Sequence, residues 1–169
     1  MYVPLNLLPD TARVWVYQAA RDLTAAEAEV AEAHLRAFCE GWAAHGQPVH
    51  GGFGLFEDRF LILAVDEDAA LPSGCSIDSS VQTLRTLSVA LGGLDLLDKS
   101  RVAYIRADGL VGTVPRGELR TAVADGRLTA TTMVFDPLIP TLGALRAGWR
   151  KPAATTWLAR YFLAEKTPR

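Results

Sequence analysis

Val49-His50-Gly51-Gly52-Phe53-Gly54-Leu55-Phe56 and Arg59-Phe60-Leu61-Ile62-Leu63-Ala64-Val65, separated by Glu57-Asp58, read as the two strands of a tight hairpin. Both runs are rich in β-formers, and the acidic pair between them is turn chemistry. On the N-terminal side, Arg13 to Ala19 carries Val14, Trp15, Val16 and Tyr17 and reads as a strand that stops at Arg21-Asp22. Between that strand and the hairpin, Thr24 stands as a helix N-cap with Glu27 at the capping-box position. Val30, Ala31, Leu35, Phe38 and Trp42 then recur at helical spacing until His45-Gly46. On the C-terminal side, Ile77, Val81, Leu84, Leu87 and Leu91 mark a second helix from Ser76 to Gly92-Gly93. Arg101 to Ala107 reads as the next strand, Asp108-Gly109 as a turn, and Leu110 to Val114 as its partner.

The order strand, helix, strand, strand, helix, strand over residues 1–114 is the split βαβ, ferredoxin-like arrangement. The expectation is therefore an α+β fold in which two helices cover one face of a four-stranded antiparallel sheet. Residues 115–169 read as a helical C-terminal extension packed on that core, making a single domain overall. It comprises a short helix from Glu118 to Ala124, an extended run from Thr131 to Phe135 and a helix capped by Thr141. A final helix after Pro152 carries Trp157, Leu158, Tyr161 and Phe162. This aromatic stripe either covers the open sheet face or meets a second copy of the chain, which leaves a homodimer open.

The chain has 169 residues, half of them apolar and about a fifth charged, enough to bury a core without disulfides or metals. A formal net charge of −2 offers no general excess of cations to phosphates, so nucleic acid is not an expected partner. The basic groups at Arg146, Arg150 and Lys151, and at Arg160, Lys166 and Arg169, read as solvated helix faces. The longest strongly apolar run, Leu61 to Val65, falls far short of the ~20 residues that span a bilayer, so no membrane insertion is expected. Met1 to Pro9 lacks a basic n-region and is broken by proline, which gives no expectation of a secretion signal. Two cysteines make no disulfide framework, and Cys39 falls on a core position. Reduced thiols and a cytoplasmic setting are the expectation.

Candidate chemistry centres on Ser73-Gly74-Cys75-Ser76-Ile77-Asp78-Ser79, where a thiol and a carboxylate stand at the start of the second helix. The unpaired N–H groups and partial positive charge of a helix start favour thiolate, whereas Asp66, Glu67, Asp68 and Asp78 oppose it. The expected topology brings His45, His50, Asp66, Glu67, Asp68, Cys75, Asp78 and Asp108 to one sheet edge. An enzyme there would use Cys75 as nucleophile, His45 or His50 as base, and Asp66 and Asp78 as orienting groups. Cys75, His45 and Asp78 are the catalytic candidates. The same set, with His50 and Asp66, holds the ligand types zinc uses, although no compact ligand spacing is present and no metal is assigned. In the simpler reading, Ser76, Asp78 and Ser79 cap the helix and Gly74 supplies the turn before it.

No cofactor is assigned. The nearest stretch to a phosphate loop, Gly92-Gly93-Leu94-Asp95-Leu96-Leu97-Asp98-Lys99-Ser100, places Asp98 where glycine must precede the lysine. No dinucleotide fingerprint or nucleophile elbow occurs either.

Leu8-Pro9-Asp10, Trp15-Val16-Tyr17-Gln18, Ala44-His45-Gly46, Val65-Asp66-Glu67, Ser73 to Val81, and Trp149, Pro152 and Trp157 together resemble an uncharacterised bacterial family. That family is seen mainly in Bacteroidetes and is often labelled "ABC transporter ATPase". The resemblance covers nearly the whole chain and implies no activity and no binding residues. ATPase activity is not expected without a phosphate loop, and the label taken by itself implies at most an accessory protein. The function expected from the residues is that of a small non-catalytic binding or interaction protein, with a partner not specified by the sequence. The alternative is an enzyme or metal-binding protein with its site at Cys75, His45, His50, Asp66 and Asp78.

Overall fold

The computed structural model describes residues 1–44, 46–67 and 74–163, the side chains of Ala44 and residues 74–77 excepted. In chain order the elements are β1 (Arg13–Gln18), α1 (Ala25–Gly41), β2 (Ala43–Ala44), β3 (Gln47–Pro48), β4 (Gly51–Phe56), β5 (Phe60–Val65) and α2 (Gly74–Ala90). There follow β6 (Arg101–Ile105), β7 (Val111–Pro115), α3 (Leu119–Ala124), β8 (Met133–Phe135), α4 (Leu142–Gly148), β9 (Arg150–Pro152) and α5 (Ala159–Phe162). The class is α+β, with antiparallel pairing throughout the sheets. The chain divides into two compact units, Met1–Asp98 with Pro137–Ala147, and Lys99–Asp136 with Gly148–Arg169.

In the first unit the strand order is β1-β5-β4. Because β1 and β4 are each antiparallel to β5, they run parallel to one another on its two flanks, with α1 as the crossover between them. The hairpin turns as expected through Glu57 and Asp58, whose φ values of 54° and 52° suit a primed turn, with Arg59 completing the loop before Phe60. Thr24 and Glu27 form the full capping box of α1. Ala31, Leu35 and Cys39 of α1, and Leu84 and Leu87 of α2, bury against Leu61, Leu63 and Val65 of β5. The two helices therefore share one face of the sheet. Val30 does not join them and stays exposed.

The expected fourth strand of this sheet is not there. Arg101–Ile105 instead pairs with β7 and β8 in a second sheet of order β7-β6-β8-β9. The reason lies at the free edge of β1, whose backbone groups are already engaged. Val14 N–H donates to Pro140 C=O, Leu142 N–H to Ala12 C=O, and Asp98 N–H to Gln18 C=O. With that edge covered, a fourth strand beside β1 has nothing left to pair with. The sheet's other face is not open either: all six residues of β5 are buried, and Leu5 and Leu8 lie over Gly54 and Gly52.

The expected boundary at residue 114 also moves. The first unit gives up the chain after Asp98 and takes it back for Pro137–Ala147, where Leu142 and Leu145 are buried. Residues 115–169 are thus no purely helical extension, because β8 and β9 complete the second sheet. That unit has its own core of Val102, Tyr104, Val114, Leu119, Ala122, Leu128, Val134, Ala153 and Leu158.

Candidate functional site

The sheet edge expected to carry catalysis is assembled in part. Asp66 N–H donates to His50 C=O at 3.0 Å, and the Arg13 guanidinium meets Glu67 at 3.3 Å, so His50, Asp66, Glu67 and Arg13 share the end of β5. His45 and Asp68 lie outside the described residues, as does the side chain of Cys75. Asp78 is exposed on α2. Asp108 belongs to the second unit, where Arg106 grips it through two bonds of 3.2 and 2.6 Å. Among the described residues no three His, Cys, Asp or Glu side chains come together in a way that could hold a metal. His34 is a structural bridge, its Nε2 within 2.9 Å of Thr83 Oγ1 between α1 and α2. Gly92-Gly93, the beginning of the stretch compared with a phosphate loop, ends α2 with positive φ and leads to a strand. A phosphate loop joins a strand to a helix.

The second unit presents a different constellation. Pro115 ends β7, and the single 3-10 turn of Arg116–Glu118 turns the chain into α3. At the other end of the unit, the turn after Thr156 sets Leu158 into the core and leaves Trp157 outside, 41 % exposed. The Arg116 guanidinium lies 5.0 Å from the Trp157 ring centroid and that of Arg160 lies 5.2 Å from it. Arg160 also sits 5.1 Å from the Tyr161 ring, which meets Trp157 edge-on at 6.2 Å. Neither arginine has an ion-pair partner among the described residues. Guanidinium over indole is favourable electrostatically and keeps the cation's outer nitrogens in water. The aromatic stripe expected on the last helix is thereby divided. Trp149 is buried against Phe135, Tyr161 and Phe162 lean on the core, and Trp157 alone stands out with cations around it.

Charge follows the same division. The first unit holds six Lys and Arg against fourteen Asp and Glu, the second eleven against five, giving −8 and +6. The whole-chain value of −2 averages two opposite units, so the argument it supplied against polyanionic partners does not apply to the second. A running charge sum would have shown this, because fourteen of the nineteen acidic residues precede Lys99. The pairing of Arg116 with Trp157 could not have been read the same way.

No family model matches the chain, and neither a curated protein nor a solved structure matches it.

Proposed function

We propose that this protein is a non-catalytic binding protein whose second unit docks an acidic segment of another protein on Arg116, Trp157, Arg160 and Tyr161. The observation that carries the reading is the exposed Trp157 indole with two guanidiniums within 5.2 Å of its centroid, neither with a carboxylate partner among the described residues. Trp, Tyr and Arg are the residue types that dominate binding energy at protein interfaces. Here they are joined to a unit of charge +6, which favours an acidic occupant. A cytoplasmic setting is part of the proposal, supported by Cys39, a buried free thiol. The family resemblance adds no residue to the surface, and its ATPase label plays no part in the reading.

The test is fluorescence anisotropy with a labelled Glu/Asp-rich peptide, a basic peptide of equal length and a single-stranded oligonucleotide. Binding of the acidic peptide should weaken with salt and fall by about 2 kcal/mol or more in Trp157→Ala, the size of an interface hot spot. It should vanish in the Arg116→Glu, Arg160→Glu double variant. Tighter binding of the oligonucleotide would move the reading to nucleic acid. Sedimentation of the same variants tests the homodimer, since a second copy would supply acidic residues of its own. Loss of self-association in Trp157→Ala would make that copy the partner.

A further inference from the structure

A cleft of about 520 Å³ opens in the second unit, apart from the Arg116 and Trp157 surface. Its walls are the end of β6 from Tyr104 to Ala107, the Gly126–Arg127 turn after α3, and Thr129 to Met133 leading into β8. That volume is of the size small-molecule sites have.

Three donors converge there with hydrogen-bonding capacity the protein leaves unused. The first is Tyr104, only 8 % exposed, whose hydroxyl makes no hydrogen bond with any described residue. The ring of Tyr104 is buried, but the hydroxyl itself is not shut off from solvent, so at the cleft it is open to a ligand. Its ring lies over Gly112, its cross-strand neighbour, because a Cβ at Gly112 would come within 2.9 Å of Tyr104 Cζ. The second is Arg127, whose Nε donates to Asp125 Oδ2 at 2.8 Å while both terminal nitrogens lack partners among the described residues. Gly126 at φ 80° and the buried Leu128 hold the turn that positions it on the same cleft as Tyr104. The third is a hydroxyl cluster in which Thr129 Oγ1 meets Thr131 Oγ1 at 3.2 Å and Thr132 Oγ1 at 3.0 Å. Three hydroxyls carry three protons and two links use two of them, so one remains to donate outward.

We infer that this cleft binds a small carboxylic acid, its carboxylate held by Arg127, Tyr104 and the threonine hydroxyls and its apolar body against Ile105, Ala107 and Met133. All three donor types suit an anion, and the free edge of a guanidinium matches a carboxylate in a bidentate fork. Charge selects a monoanion. The second guanidinium of the lining, Arg106, is already bound to Asp108, so the second charge of a dianion would be left without an uncommitted cation there.

The test is a titration of the full chain with sodium benzoate, followed by backbone amide NMR shifts. Benzyl alcohol serves as the uncharged isostere. The expected result is saturable, millimolar or tighter binding that moves Thr129, Thr131, Thr132 and Arg127 together. Tyr104→Phe, which keeps the ring and the core, should weaken it several-fold, and Arg127→Gln about tenfold or more, as loss of a charged hydrogen bond does. Gly112→Ala, which forces the Tyr104 ring aside, should weaken it as well. The inference is overturned if benzoate leaves those amides unmoved, if benzyl alcohol shifts them equally, or if Tyr104→Phe and Arg127→Gln, both natively folded by NMR, bind as the parent does.

Discussion

Cys39 shows what a buried position does to a reactive group. Removal from water penalises the thiolate, and burial pushes the thiol from its ordinary value near 9 up to about 12. In the folded chain it is a small apolar filler facing Leu35 and Trp42 in the core rather than a nucleophile. Because the folded value is raised, its contribution to stability is complete below pH 9, where both states keep the proton. It is lost as pH rises from about 9 through about 12, where the unfolded chain ionises first. Chemical denaturation across that range should show a decline that Cys39→Ala flattens. A thiol reagent at neutral pH should label Cys39 only when denaturant is present. At the same scale, Trp157 and Arg116 gain meaning only as a pair, and no property of either residue in isolation announces it.

At the scale of elements, α1 is the most completely self-specified. Thr24 Oγ1 accepts from Glu27 N–H, the Glu27 carboxylate accepts from Thr24 N–H, and Arg21 binds the same carboxylate from outside. The Arg21 contact, followed by the backbone bond from Thr24, lowers the Glu27 carboxyl to about 2. The stability this adds is present above the ordinary carboxylate value and disappears as pH falls from about 4.5 through about 2. Thr24→Ala should lower the unfolding free energy by about 1 kcal/mol in urea titrations. β4 is specified differently, by what lies across it. Its edge takes Val3 N–H onto Gly51 C=O, and a Cβ at Gly52 would run into the Val3 carbonyl oxygen. Gly52→Ala should therefore cost about 1–3 kcal/mol, the scale of core overpacking, and should free the Val3 amide to exchange with solvent.

For the whole molecule, the decisive fact is that neither unit is continuous in sequence. Pro137–Ala147 leaves the second unit to finish the first, and the Arg146 guanidinium there joins Asp10 and the carbonyls of Leu5 and Leu8. Leu142→Ala, far along the chain from the hairpin, should destabilise the first unit by about 2–5 kcal/mol, the cost of a core cavity. The measurement is amide exchange at β1 and β5 together with urea unfolding. A chain ended at Val114 should fail to unfold cooperatively, because it lacks both the cover of β1 and two strands of the second sheet. Cooperative unfolding of that fragment would contradict the division.

The sequence by itself determined the elements: the hairpin and its turn, the capped α1, the glycine-terminated α2, and the pairing of Arg101–Ile105 with Val111–Pro115. Each of these follows from neighbours a few residues apart, through period, caps and turn chemistry. Only the tertiary structure decided which sheet Arg101–Ile105 joins, since that depends on whether Pro140 and Asp98 have already taken the edge of β1. The same holds for the grouping of Arg116, Trp157 and Arg160, and of Tyr104, Arg127 and Thr129. In each group one member, Arg116 or Tyr104, is distant in sequence from the rest and joins them only when the second unit closes around its own core. Local chemistry encodes the pieces, and competition for a shared edge settles how they are joined.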